Sequence, residues 1–313
     1  MRCYNMVVEK LELERIKFLN GASGLGKIDK GYSGAAKFAF EKDGQKYFLK
    51  IGEFAADDGL EQILTDAAIP HPAIIEMGQY DEALSYVIEK FVEGENLKDA
   101  IDKYSAGEMY NFGREIGGRY RNLRKVYPDQ LVLESLREEY ARSTGERVER
   151  LKNLLDLDKV VSQADTYDML TVADFLQNSL PCVKDSLMVY GHTDTKPSNF
   201  LLCNGKVVAM DIENTRYKEI TASMMWAYAR VDYKDEKNLA FARGYLDGLF
   251  DYNVPIGVRK CCNHNYTYNM VGYFVKYLER EDHERLERLL RHIETNYLVD
   301  GKIEVDKYLR TEK

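Results

Sequence analysis

Residues 191–199, with the sequence GHTDTKPSN, are the stretch that decides the fold. An apolar, β-like run enters this stretch and a second run, FLL, leaves it, which predicts a polar loop between two short strands. A third apolar run, KVVAM, ends at Asp211, twelve residues after Asn199. Three polar side chains, Asp194, Asn199 and Asp211, are therefore expected at the mouths of short strands.

These three side chains suit the chemistry of phosphoryl transfer. That reaction needs a carboxylate near the attacking hydroxyl group and ligands that hold magnesium on the phosphates. Asp194 is the candidate base, and Asn199 and Asp211 are candidate hard oxygen ligands for Mg²⁺. A loop capped by Asp and Asn would explain any one of them alone, but not the ordered set together with a glycine turn and a lysine upstream.

Two glycine-rich groups lie upstream, and the first nearly spells a phosphate-binding P-loop. A P-loop needs a strand before it, a helix after it, and Ser or Thr after its lysine. Around residues 21–27, GASGLGK, a helix-like segment precedes, a hairpin follows, and Ile28 takes the Ser/Thr place. We therefore expect a surface turn over residues 20–26, with the P-loop as its rival.

The second glycine group is the better candidate for phosphate binding. Gly31, Ser33 and Gly34 come just before the β-like run AAKFAF, so a hairpin turn is expected there. Glycines in such a turn let backbone N–H groups approach phosphate oxygens closely. Lys50 lies on the next strand of the hairpin, from which its ammonium can reach the same phosphates.

A carboxylate on the following helix is needed to hold Lys50 in place. Glu61 and Asp58 are three residues apart on one helix face, so either can serve. Glu61 is the preferred candidate.

The periodicity of the chain predicts an α+β protein. Residues 7–19 have helical spacing, and strands with one helix near residues 60–67 follow, which suits a small antiparallel sheet. Beyond residue 96, helical spacing places Met109, Phe112, Ile116, Tyr120 and Leu123 on one face. Further amphipathic helices are expected over 133–157 and 163–180, and again from 218 to about 298.

The boundary between these two parts is expected at the polar joint near residues 92–96. The predicted domains are 1–92, a β-rich lobe that binds nucleotide phosphates, and 93–313, a helical lobe with the catalytic loop and the acceptor site.

Composition narrows the class of protein. A net charge of −8 argues against a nucleic-acid partner, whose phosphates favour a basic surface. Five scattered cysteines suggest a reducing compartment, and the adjacent pair Cys261 and Cys262 lacks the spacing of a zinc site. Without a long apolar run or a signal-peptide core, a cytoplasmic protein with no membrane span is expected.

The stretch from His192 to Asn199, followed by Asp211, resembles the HGDxxxxN…D signature of the aminoglycoside phosphotransferase and choline kinase family. The sequence KGYSG at 30–34 is similar to the KGxS turn of bacterial members, and IPHP and EKFVEGENL match other family phrases. The resemblance spans roughly residues 27 to 250 and implies a two-lobed, protein-kinase-like fold.

The resemblance also implies roles for individual residues. Asp194 would be the catalytic base. Lys196 departs from the family, which often has His at this place, and is closer to protein kinases; two residues after the base, a lysine can neutralise charge on the moving phosphoryl group. Asn199 and Asp211 would bind Mg²⁺, and Lys50 would contact the α- and β-phosphates of the nucleotide. The segment 89–92, with Glu89 and Phe91, would be the hinge against which the purine base lies.

The expected function is the transfer of the γ-phosphate of ATP or GTP to a hydroxyl group of a small, cationic acceptor, by a monomer or weak homodimer. A protein kinase and a catalytically silent nucleotide-binding protein of the same fold stay open as alternatives. Acidic residues of the helical lobe are the candidates for binding such an acceptor: Glu213, Glu219, Asp232 and Asp235.

Overall fold

The computed structural model describes most of the 313 residues in ranges separated by short gaps. These ranges are 12–28, 35–54, 57, 59–125, 130–157, 163–184, 188–192, 194–219, 236–253, 256–293, 298–299 and 302–303. The chain divides into two compact units. We call residues 1–97 with 198–215 the sheet unit, and residues 98–197 with 216–313 the helical unit. The predicted division of roles between 1–92 and 93–313 stays a prediction.

The sheet unit contains a five-stranded antiparallel sheet with the order β1-β2-β3-β5-β4. Its strands are β1 (Ser23–Lys27), β2 (Ala36–Lys42), β3 (Gln45–Gly52), β4 (Ile74–Gln79) and β5 (Ser85–Lys90). The predicted β2–β3 hairpin is confirmed, with Ala36 opposite Ile51 and Lys42 opposite Gln45. Asp43 and Gly44 both have positive φ angles, 51° and 71°, as a tight hairpin turn of this type requires.

Residues 12–19 correct the helix predicted over 7–19. They form two short 3₁₀ turns, Leu13–Arg15 and Lys17–Leu19, while residues 7–11 lie outside the described ranges. The helical spacing comes from packing, because Ile16 is buried in the sheet core and Phe18 makes edge contacts with Phe40 and Tyr47. Neither turn has a side-chain cap that would favour a longer helix.

The first glycine group begins as the predicted turn at residues 20–21, but residues 23–27 form an exposed edge strand, β1. Gly21 and Gly24 have φ angles of 79° and 65°, which glycine adopts without strain. Strand β1 pairs with β2, and Lys27 lies opposite Phe38. The P-loop alternative is wrong, because the lysine of the motif belongs to this strand and the next described element is another strand.

The predicted helix before the proline pair is confirmed as α1 (Leu60–Asp66). A second small sheet with the order β6-β8-β9 completes the unit: β6 (Glu95–Asn96), β8 (Phe200–Cys203) and β9 (Lys206–Ala209). It joins the segment between α1 and β4, since the N–H of Ala209 donates to the carbonyl of Pro70 at 2.8 Å. The β8–β9 hairpin therefore belongs to the same compact body as Lys50.

The helical unit contains the long helices that periodicity predicted. They are α2 (Ala106–Tyr120), α3 (Gln130–Leu157), α4 (Gln163–Asn178), the short α5 (Pro181–Lys184), α6 (Glu236–Phe250), α7 (Ile256–Glu279) and α8 (His283–His292). Ser105 and Glu108 form a capping box that begins α2. The helix predicted to begin at residue 218 is wrong at its start, because residues up to 219 form strand β10 (Thr215–Glu219).

Strand β10 pairs with β7 (Met188–His192), and β11 (Leu298–Val299) pairs with β12 (Lys302–Ile303). Helices α2 and α6 pack very closely through glycines, and a Cβ on Gly113 would lie only 2.9 Å from the backbone N of Tyr245. Within the described ranges, no helix has both the length and the apolar character that crossing a membrane would require.

Candidate active site

Lys50 is the centre of a buried charged cluster in the sheet unit. Its side chain is 3% exposed on β3, and its Nζ lies 2.9 Å from Asp211 Oδ1. It also donates a short hydrogen bond to Glu213 Oε1. Burial by itself would lower the pKa of Lys50, but attraction to Glu213 and Asp211, with their hydrogen bonds, raises the pKa above its usual value. Lys50 is therefore held as a cation.

One tight turn supplies both carboxylates. Asp211 has left-handed backbone angles, with φ 55° and ψ 36°, and precedes the 3₁₀ turn Ile212–Asn214. Aspartate tolerates this conformation better than most residues, and the fully buried Ile212 anchors the turn. Two carboxylates two positions apart thereby reach the same ammonium. Glu213, predicted as a candidate for acceptor binding, is instead buried against Lys50.

The predicted ion pair between Glu61 and Lys50 is wrong. The Glu61 carboxylate receives the N–H of Ile74 at 2.8 Å and lies 3.0 Å from His71 Nε2. These bonds tie α1 to the start of β4. Asp58, the other candidate, lies outside the described residues.

Glu89 is a second buried acid near Lys50. Its side chain is 3% exposed, and its Oε1 has no hydrogen-bond partner among the residues that the structure describes. Burial, and then the negative charge of Glu213, raise the pKa of Glu89 well above its usual value. The expected contact of Glu89 and Phe91 with a purine base stays a prediction. Phe91 is partly exposed, and its N–H donates to Lys46.

The two expected Mg²⁺ ligands lie at one end of the β8–β9 hairpin. Phe200 pairs with Ala209, and the N–H of Met210 donates to the carbonyl of Asn199 at 2.8 Å, which brings Asn199 next to the residue before Asp211. The Asp211 side chain is 30% exposed, so the carboxylate that contacts Lys50 also faces solvent.

This donor set fits magnesium bound together with a nucleotide. In proteins Mg²⁺ is usually held by one or two side-chain oxygens, with phosphates and water completing its shell. In the described part of the chain, no group of three or more His, Cys, Asp or Glu side chains is arranged as a protein-only metal site. Asn199 and Asp211 are thus suited to a metal that arrives with phosphates.

The predicted catalytic loop, around Asp194, lies in the helical unit. The N–H of Asp194 donates to Nδ1 of the buried His192 at 3.0 Å, which places the histidine proton on Nε2. The Lys196 Nζ lies 2.5 Å from Asp194 Oδ2, and both side chains remain partly exposed. The ring of Tyr120 packs edge-on against His192. The backbone N–H of Asp194 is therefore held by His192, and its carboxylate is paired with the Lys196 ammonium.

Several predicted site residues lie outside the described residues or have side chains that are not described. They are Gly31, Ser33 and Gly34 of the glycine turn, and the acceptor candidates Glu219, Asp232 and Asp235. The sequence reasoning missed the pairing of Glu213 with Lys50. The available signal was its position two residues after Asp211 in the sequence MDIEN.

The fold is the kinase-like fold of solved aminoglycoside phosphotransferase structures. Aminoglycoside phosphotransferase APH(4)-Ia in its apo form matches with a TM-score of 0.59 and 14% identity, over 91% of this chain and 97% of that chain. ADP-bound APH(2'')-Ib matches with a TM-score of 0.60 and 14% identity, over 91% of this chain and 97% of that one. AMP-bound spectinomycin phosphotransferase APH(9)-Ia matches with a TM-score of 0.59 and 14% identity, over 96% of this chain and 98% of that chain.

Sequence similarity is weaker. No family model matches the sequence. Among curated proteins, hygromycin-B 4-O-kinase of Escherichia coli is 28% identical over 96 residues, which are 29% of this chain and 27% of that protein. The matched segment thus covers about a quarter of the relative. The predicted α+β, kinase-like fold is confirmed, and the structural neighbours are the aminoglycoside phosphotransferases that the motifs resemble.

Proposed function

We propose that this chain is a small-molecule kinase that transfers the γ-phosphate of ATP or GTP to a hydroxyl group of an aminoglycoside-like acceptor. The observation that carries the proposal is Lys50, a buried cation held by Asp211 in the same compact unit as Asn199. Relatives named as hygromycin and spectinomycin kinases share the fold or part of the sequence. The neighbours' complexes with ADP and with AMP support a nucleotide donor.

In this mechanism, each side chain acts through position and charge. Lys50 binds the phosphates of the donor nucleotide, and Asn199 and Asp211 hold Mg²⁺. The metal, when bound, neutralises negative charge on the β- and γ-phosphate oxygens. Asp194 orients the acceptor hydroxyl group and takes its proton as the new O–P bond forms and the bond to the leaving diphosphate breaks.

Lys196 contributes beside the base. Its ammonium forms an ion pair with Asp194 Oδ2 and so helps to hold the carboxylate in place. A positive charge beside the base also stabilises negative charge that develops on the phosphoryl group during transfer. A cationic acceptor such as an aminoglycoside would add favourable attraction to acidic groups of the helical unit.

Radiolabelled γ-phosphate transfer tests the proposal. ATP and GTP are offered separately, with Mg²⁺, to a panel of aminoglycosides, choline, amino sugars and a generic protein. Asp194→Asn, which keeps the shape of the side chain, serves as the blank. We expect label on an aminoglycoside-like acceptor from wild type, and a loss of at least about 1,000-fold in the variant, whose nucleotide affinity stays within about threefold. Equal labelling by wild type and Asp194→Asn would refute the role of Asp194, and label on protein alone would favour a protein kinase.

A further inference from the structure

Lys50 is held by two carboxylates that come from one turn. Asp211 and Glu213 each accept a hydrogen bond from its Nζ. A lysine ammonium has three N–H donors, so these two bonds leave one donor for a phosphate oxygen. The direction of that third donor is set by where the two carboxylates stand.

The helix carboxylate that would ordinarily take this role is engaged elsewhere. In protein kinases, a helix glutamate pairs with the strand lysine and positions it for transfer. Here the Glu61 carboxylate bonds with His71 Nε2 and the N–H of Ile74. It joins α1 to β4, and Lys50 takes its ion pairs from the turn after β9.

The two partners of Lys50 differ in their surroundings. The Asp211 side chain is 30% exposed and is an expected Mg²⁺ ligand, so its charge is shared between the metal and Lys50. The Glu213 side chain is 2% exposed and faces Lys50. Because Glu213 is buried, losing its ion pair with Lys50 would leave an uncompensated buried charge. We therefore expect this ion pair to remain when Asp211 binds a metal ion.

Glu89 supports the same arrangement from β5. On the sheet, Lys50 lies opposite Val87, so Glu89, two residues on, shares the face of Lys50. Its carboxyl oxygen Oε1 is buried and unpartnered. Glu89 is therefore part of the buried surroundings of the Lys50–Glu213 pair.

We propose that Glu213 is the positioning residue for Lys50 and holds its ammonium toward the nucleotide phosphates in place of a helix glutamate. The inference rests on the proposed kinase function for its kinetic consequence. The geometric claim, that Glu213 acts on nucleotide through Lys50, also concerns binding and does not need turnover.

A double-mutant cycle separates this role from a merely structural one. The variants are Glu213→Gln, Lys50→Met and the double variant, with the exposed Glu41→Gln as a matched control. We expect Glu213→Gln to lower kcat about 10- to 100-fold, while the KM for the acceptor stays within about threefold. On the Lys50→Met background, the same substitution should change kcat less than about threefold. If the double variant instead shows the full product of the two single-variant losses in kcat, the proposal is overturned.

Glu61→Gln, combined with Lys50→Met in the same way, tests the alternative that the helix carboxylate positions Lys50. Its effect is expected to multiply with that of Lys50→Met, because Glu61 acts through His71 and β4. If the non-additivity is found with Glu61 and not with Glu213, the helix carboxylate is the positioning residue and the proposal is wrong. Glu213→Asp retains the charge on a shorter side chain, and a kcat between wild type and Glu213→Gln is expected. It replaces Glu213→Gln in the cycle if that variant does not fold, as judged by circular dichroism.

Calorimetric binding of a non-hydrolysable ATP analogue repeats the cycle without catalysis. Non-additive losses of affinity support the positioning role even if wild type labels no acceptor, in which case only the kinase proposal fails. Active wild type with additive losses in both affinity and kcat refutes the positioning role alone.

Discussion

Replacing Gly117 with alanine is expected to destabilise the helical unit, although alanine is the better helix former. Gly117 lies on α2 where this helix meets α6. A Cβ at this position would lie 2.8 Å from the carbonyl carbon of Tyr245 and 2.9 Å from the backbone N of Leu249, and closer still to the Tyr245 carbonyl oxygen. Real Cβ atoms essentially never approach backbone atoms so closely, so α2 and α6 must move apart.

The contact is reciprocal, which sets the size of the effect. Gly113 also lies against α6, and Gly244 and Gly248 of α6 lie against the backbone of α2. Overpacking a tight core costs about 1–3 kcal/mol or more, and here the obstructing atoms are backbone atoms that cannot rotate away. Alanine regains about 1 kcal/mol of helix propensity. Because the obstructing atoms are backbone atoms, we take the upper part of the overpacking range and expect a net loss of about 1–2 kcal/mol in the free energy of unfolding. This corresponds to a fall of roughly 2–8 °C in the unfolding midpoint.

Gly118→Ala is the matched control. Gly118 is the next residue of the same helix, and a Cβ there meets nothing within 4 Å. Only the propensity gain applies, so a rise in stability of about 0.5–1 kcal/mol is expected. Denaturant unfolding followed by circular dichroism measures both variants. If Gly117→Ala is as stable as Gly118→Ala, the close packing of α2 on α6 is wrong.

Three further outcomes follow from single residues. Burial lowers the pKa of His264 to about 4, below its unfolded value near 6.5. The free energy of unfolding should therefore fall by about 3 kcal/mol in all as the pH drops from the unfolded pKa to the folded pKa. His264→Gln should remove this part of the acid unfolding profile. Ser105→Ala removes the N-cap of α2 and should cost about 1 kcal/mol in a urea titration. Gly34→Val should weaken nucleotide binding measured by calorimetry, whereas Gly24→Val, at φ 65°, should lower stability and leave nucleotide affinity unchanged; the reverse pattern would contradict the choice of glycine group.

Local patterns were sufficient for much of the fold. The β2–β3 hairpin could be predicted because alternating apolar residues flank Asp43-Gly44, a turn whose backbone preference does not depend on the rest of the chain. The helix α2 could be predicted from its spacing of Met109, Ile116 and Tyr120, all of which are buried. Where the same spacing misled, over residues 7–19, the apolar side chains pack on the sheet without forming a regular helix in the described part.

The sequence by itself determined the chemical parts of the site and their order along the chain. Lys50, Asp194, Asn199 and Asp211 are recognisable because phosphoryl transfer requires those side chains, and their spacing is readable in one dimension.

Only the tertiary structure decided which carboxylate holds Lys50. Glu61 was the nearer choice along the chain, whereas Glu213 is 163 residues from its partner. An ion pair between distant residues is set by how β3 and the turn after β9 pack in one unit, and that packing leaves no periodic trace in the sequence. For the same reason, the contact of α2 with α6 could not be predicted from the sequence. Its four glycines are required only because the two helix backbones meet there.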